Sequence, residues 1–141
     1  RPTAEQIEWA KKVLAVTNEE EKAKLPRLAD AYARRALGLV DVEETEAVLV
    51  QALRIGDLAV CTFPFETLVE IGLDVKQRSP FPRTMFIGIA NGSYGYLPPP
   101  HQHELGGYET WLGTSRFEKD SSVILTEQML EMLGELAKDR E

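Results

Sequence analysis

Glu66, the tyrosines at 94, 96 and 108, and the histidines at 101 and 103 are the residues whose types and spacing could do chemistry. Between Ile87 and Tyr108 an apolar run stops at Asn91-Gly92, and tyrosines, three prolines and both histidines of the chain follow it. A loop of that composition at the end of a strand is where α/β proteins place their functional groups. In a strand, alternate side chains point the same way, so a His-x-His pair can grip one metal ion. His101 and His103 follow three prolines in a loop, where no regular geometry makes the rings converge, and the plainer reading is a solvated loop at the mouth of a site. Glu66, after Pro64, falls in the first turn of an expected helix. There it is either a carboxylate favoured by the helix dipole, or a metal ligand or general base at a strand-to-helix corner. Each tyrosine is a half-buried packing residue or, near a cation, a ligand or a donor to a developing oxyanion. Asn91-Gly92 most simply supplies a positive-φ turn.

The elements that must position these residues follow from hydrophobic spacing. Thr3 with Gln6 has the capping-box pattern, and Ile7, Ala10, Val13 and Leu14 share one helical face. Thr17 with Glu20 signals a second helix, which Leu25-Pro26 interrupts. Spacing resumes from Leu28 to Leu37, and Gly38 supplies a stop. The run Glu19-Glu20-Glu21 reads as a solvated first helical turn. The texture changes at Glu46. Residues 47–55 and 58–63 read as strands joined at Gly56-Asp57 in a hairpin. A helix is expected over 65–77 and a short strand, buried on both faces, over 84–90. A loop then runs from 91 to about 117. A last helix over 122–138 carries Leu125, Met129, Met132, Leu133 and Leu136 on one side, the methionines as core filler.

Strand 58–63, helix 65–77 and strand 84–90 make a βαβ unit, whose two strands lie parallel. Their carboxyl ends then share one edge of the sheet, with Glu66 after the first and Asn91 to Tyr96 after the second. That edge is where open α/β sheets bind ligands. The fold class is therefore α/β: N-terminal helices, then a hairpin and a βαβ unit in a small mixed sheet, then a C-terminal helix. Residues 1–141 are taken as a single domain, with a helical segment over 1–40 and an α/β segment over 46–138.

Bulk properties exclude several classes. At 141 residues, 43% hydrophobic and 28% charged, the chain has room for one real core. A net charge of −7 argues against non-specific nucleic-acid binding, since the basic pairs Arg34-Arg35 and Lys11-Lys12 form no patch. No apolar run is long enough for a transmembrane segment. The chain starts at Arg1 rather than Met, so a trimmed or partial polypeptide is expected. The compartment is left open, with a secreted or periplasmic parent compatible. The single Cys61 can form neither an internal disulfide nor a structural zinc site, and its apolar strand marks it as inert core. There is no nucleophile elbow, phosphate loop, dinucleotide fingerprint or H-E-x-x-H motif.

Four blocks resemble the last part of the catalytic domain of the neutral/alkaline non-lysosomal ceramidase family. They are Gly56 to Glu66, Glu70 to Gly72, Ile89 to Tyr96, and Gly107 to Glu109. The likeness spans roughly residues 50–136 and is closest to bacterial ceramidase-like proteins. It implies a zinc-dependent amidase acting on an N-acyl bond, with Glu66 and Tyr96 matching two of the zinc ligands. Tyr108 matches, more loosely, an active-site tyrosine. The family's two zinc histidines and its serine lie upstream of anything present here, and His101 and His103 do not stand in their place. The family's immunoglobulin-like C-terminal domain is also missing.

The leading expectation is thus the C-terminal portion of a ceramidase-like hydrolase, inactive in isolation, whose partner is the remainder of a parent polypeptide. Its substrate would be lipid-like or another N-acyl amide. An apolar surface should be left exposed and could support a homo-oligomer. One alternative is a small metalloprotein using His101, His103 and Glu66 as a His-His-carboxylate set. Another is a non-catalytic α/β interaction domain with a vestigial cleft.

Overall fold

The computed structural model describes residues 1–138. The chain divides into two compact units, the first Arg1–Glu46 and the second beginning at Ala47. The boundary falls where the sequence changes texture.

The first unit is helical: α1 (Ala4–Ala15), α2 (Glu19–Lys22) and α3 (Ala29–Gly38). Thr3 caps α1 in a full capping box. Gln6 N donates to Thr3 Oγ1 at 3.2 Å, and Thr3 N donates to Gln6 Oε1 at 2.8 Å. The second helix starts one residue later than its Thr17 signal. Asn18 is the N-cap, its side-chain oxygen accepting from Glu20 N at 2.8 Å. Helices α1 and α3 pack on one another. They bury small residues, Ala10 and Val13 on one and Ala29, Ala33 and Ala36 on the other.

In the second unit, β1 (Gln51–Ile55) and β2 (Leu58–Thr62) form the expected antiparallel hairpin, with Ile55 opposite Leu58. Gly56, at φ 59°, takes the left-handed turn position that glycine adopts at no steric cost. Helix α4 (Val69–Arg78) crosses to β4 (Arg83–Ile87), which pairs parallel with β2, Leu58 opposite Arg83 and Thr62 opposite Ile87. The sheet order is β1-β2-β4. Helix α6 (Ser121–Lys138) contacts β1 and α4. The core gathers Ala59, Cys61, Phe63, Phe65, Ile71, Val75, Leu97, Leu125, Met129 and Leu133. Cys61 is fully buried, and loss of solvation pushes its thiol up to about 11, so it is an inert packing residue.

Three expectations change. The helix does not begin at Phe65. Residues 66 and 67 form a short strand, β3, that pairs parallel with β5 (Tyr96–Leu97), and α4 starts at Val69. Backbone pairing offered by a distant segment overrides the local helix signal: Glu66 N donates to Gly95 O at 3.0 Å. Strand β4 is not buried on both faces, because burial alternates along it and Arg83, Met85 and Ile87 are exposed. The loop after Asn91 is not structureless. It holds β5, a helix α5 (Pro100–Leu105) and a 3₁₀ turn (Tyr108–Thr110). Pro100 sits at the start of α5, the one helical position where a missing N–H costs nothing.

Register explains what the exposed alternation amounts to. Leu53, Val60 and Met85 stand side by side across the three strands, and so do Ile55, Leu58 and Arg83. Leu53, Ile55, Met85 and Ile87 are exposed at 50%, 65%, 50% and 39%. The helix-covered face carries Ala52, Cys61 and Phe86 instead. One face of the sheet is therefore core, and the other is an open apolar surface.

Candidate active site

The parallel strands β2 and β4 end at Thr62 and Ile87, and the chain continues from each into the candidate site. After β2 comes the buried run Phe63-Pro64-Phe65, then Glu66. After β4 the chain bends, with Ile89 at φ 53° and Asn91 at φ 65°. The bend is tied down on both sides. Ile89 N donates to Phe65 O at 2.9 Å, and Tyr94 N to Pro64 O at 2.9 Å. Asn91 Nδ2 donates to Gln51 Oε1 at 2.7 Å and to Thr62 Oγ1 at 3.2 Å. Asn91 thus provides the positive-φ turn and also ties it to β1 and β2.

Glu66 and Tyr96 are direct register partners in the β3–β5 pair. The topology brings together two residues thirty apart, at the carboxyl edge of the parallel strands, as the βαβ reading required. Glu66 lies in extended backbone ahead of α4, so the helix-dipole reading of its carboxylate is withdrawn. The register sets the Tyr96 phenol beside the Glu66 carboxylate. The neighbouring Glu66 raises the phenol above its ordinary value, and burial, Tyr108 and Glu109 add to the shift.

Gly95 makes this approach possible. It sits at φ 88°, and an added Cβ would run into the Thr114 carbonyl oxygen. The same carbonyl accepts from Tyr96 N at 3.0 Å. The turn that follows is closed by its own bonds, Thr114 N to Trp111 O at 2.9 Å and Thr110 N to Gly107 O at 3.0 Å. It presents Tyr108 to Tyr96 edge to face, with centroids 5.8 Å apart and planes at 84°. Trp111 continues the array, 6.0 Å from Tyr108 at 64°. Glu109 joins them, its Oε1 accepting from Gln102 Nε2 at 2.7 Å. Tyr94 is sorted out of the site, since it packs against Phe65 and Phe117.

His101 and His103 stand apart from this constellation in role and geometry. Both lie on α5, where residues two apart project about 200° from each other around the axis. The strand geometry that would aim both rings at one ion is absent. Burial and Lys119 hold the His103 imidazole below its ordinary value, with Asp120 opposing.

Zinc accepts carboxylate oxygen, and a phenol oxygen near a cation is a reasonable further donor. The types of Glu66 and Tyr96 therefore suit zinc, but their number does not, since catalytic sites use three protein ligands. Among the described residues no group of three or more His, Cys, Asp or Glu could hold a metal ion. The described residues do not make a zinc site by themselves, and no catalytic step is derived through one. Glu109, Gln102 and Trp111 received no role from sequence reasoning. The tight turn signal Gly106-Gly107 ahead of Tyr108 was the available clue, since it folds residues 108–111 back toward β5.

No protein-family model matches the chain, and no curated protein matches it. Two solved structures do, a neutral ceramidase from Pseudomonas aeruginosa and a ceramidase complexed with C2. Each is 20% identical with a TM-score of 0.58 over 64% of this chain. The chain spans 15% of the length of those ceramidase chains. At that identity the likeness is one of fold: over nearly two thirds of its residues, this chain has a ceramidase-like α/β fold.

Proposed function

We propose that the chain is a ceramidase-like unit contributing one wall, Glu66 and Tyr96, to a site that hydrolyses an N-acyl amide bond. The observation that carries this reading is the pairing of Glu66 with Tyr96, side by side in register. It occurs at the carboxyl edge of a ceramidase-like fold, where ligands bind. Bound zinc would polarise the carbonyl and generate hydroxide near neutral pH. The remaining zinc donors, two histidines on the family's pattern, and its active-site serine would come from polypeptide outside this chain. The open apolar sheet face is what a unit made to pack within a larger α/β body would carry. A vestigial cleft would be marked by Glu66 and Tyr96 too far apart or too buried to share a ligand; their register pairing and partial exposure favour the hydrolase reading.

Zinc titration of the purified chain, read by calorimetry alongside amidase turnover, tests the reading. Weak or no zinc binding and no turnover are expected from this chain. Tight stoichiometric zinc with turnover would refute the proposal that the site is shared.

A further inference from the structure

The wall beyond Tyr96 has a chemistry of its own. Tyr96, Tyr108 and Trp111 stand as successive, steeply inclined rings, and Tyr108 and Trp111 are 45% and 46% exposed. Two carboxylates accompany them, Glu66 paired in register with Tyr96 and Glu109 next to Tyr108 in the same 3₁₀ turn. The ion pairs formed among the described residues use other carboxylates, so neither of these is neutralised that way. Ring faces and ring-flanking carboxylates attract the same kind of ligand, a bulky and weakly hydrated cation. An anion would be repelled. A neutral apolar group would gain nothing from the charges.

The wall is also held in place before any ligand arrives. Tyr96 is fixed by its pairing with Glu66 across β3 and β5 and by its backbone bond to Thr114 O, and the turn carrying the other rings closes on Trp111 O. Gln102 fixes Glu109. A site whose parts are already ordered loses less entropy on binding.

We infer that Tyr108, Trp111 and Glu109, with the Tyr96–Glu66 pair behind them, form a binding site for an alkylated ammonium group. Binding itself does not depend on the hydrolase reading. If that reading holds, the site faces the amine half of the amide, because hydrolysis of an N-acyl amine releases an ammonium product.

Choline and its neutral isostere 3,3-dimethylbutan-1-ol are the probes, titrated into the full chain carrying Trp9→Phe so that Trp111 alone reports by fluorescence. Saturable choline binding is expected, with the neutral isostere at least roughly threefold weaker if the cation–π attraction operates. Trp111→Leu removes the reporter, so that variant and Tyr108→Leu are read by ligand NMR, and each should weaken choline by roughly two- to fivefold or more. Glu109→Gln should weaken choline and leave the isostere unchanged, while Tyr108→Phe, which keeps a ring, should retain most of the affinity. Circular dichroism of each variant separates lost binding from lost folding. Equal affinity for the two probes, no saturation by choline, or choline binding indifferent to Tyr108→Leu in a folded variant would each overturn the inference. Zinc titration without choline reports on the hydrolase reading separately, so failure of one is distinguishable from failure of the other.

Discussion

Tyr96 keeps its proton because a carboxylate neighbour raises the phenol above its ordinary value, and Glu66 is placed there by its backbone pairing in β3 and β5. Neither residue would be informative alone: a carboxylate after a proline and a tyrosine in a glycine-rich loop are common. Their pairing turns two ambiguous side chains into one preorganised feature. His103 is a different case, a partly buried imidazole whose value is lowered by burial and by Lys119. A lowered folded value means that the unfolded chain takes up the proton more readily. Stability from this residue is therefore present above about pH 6.5 and lost as pH falls through the lowered value. Urea midpoints of the unsubstituted chain should drop between about pH 7 and about pH 5, and His103→Gln should reduce that drop. An identical pH dependence in the variant would show that His103 is not the responsible group.

At the level of elements, the short β3–β5 pair does the positioning, and it depends on one glycine. Gly95 holds a positive φ with the Thr114 carbonyl pressed where a Cβ would be. Gly95→Ala adds backbone strain to a steric clash, and a loss of roughly 2–4 kcal/mol is expected in denaturant unfolding. The variant should also lose the raised Tyr96 titration seen by ultraviolet absorbance, because the ring can no longer sit beside Glu66. A stability change below about 0.5 kcal/mol would place it among ordinary surface substitutions and contradict this account. The two-residue strand illustrates a general limit of periodicity. It is too short to show alternation, and it exists only because Gly95 and Leu97 offer carbonyls to Glu66 and Leu68. Helix α5 was hidden for a related reason. Three consecutive prolines read as a loop, yet the last of them is at a helix start, where proline is preorganised.

Among the described residues of the second unit, helices cover one side of the sheet. Leu53, Ile55, Met85 and Ile87 give the other side a contiguous apolar character. Such a face favours association, and the net charge of −7 keeps the rest of the surface soluble. Analytical ultracentrifugation over a concentration series should show self-association of the wild-type chain. A Leu53→Lys, Met85→Lys double variant should abolish it while changing unfolding stability by less than about 0.5 kcal/mol per site, as both side chains are already half exposed. Association that persists in a folded double variant would place the contact elsewhere.

By itself, the sequence determined the features that rest on local chemistry. These are the capping box at Thr3, the Gly56-Asp57 hairpin, the parallel βαβ crossover, the amphipathic C-terminal helix and the inert Cys61. Each follows from side-chain spacing or backbone freedom within a few turns of chain, so each is legible without a partner. The tertiary structure alone decided what depends on segments meeting. It drew Glu66 out of the expected helix into a strand beside Tyr96. It left one face of β4 open, with Met85 and Ile87 exposed on it. It also added Trp111 and Glu109 to the wall that Tyr108 had only suggested. The physical reason is the same in each case: a backbone amide or an aromatic face takes the partner that the fold supplies, and that partner is remote in sequence.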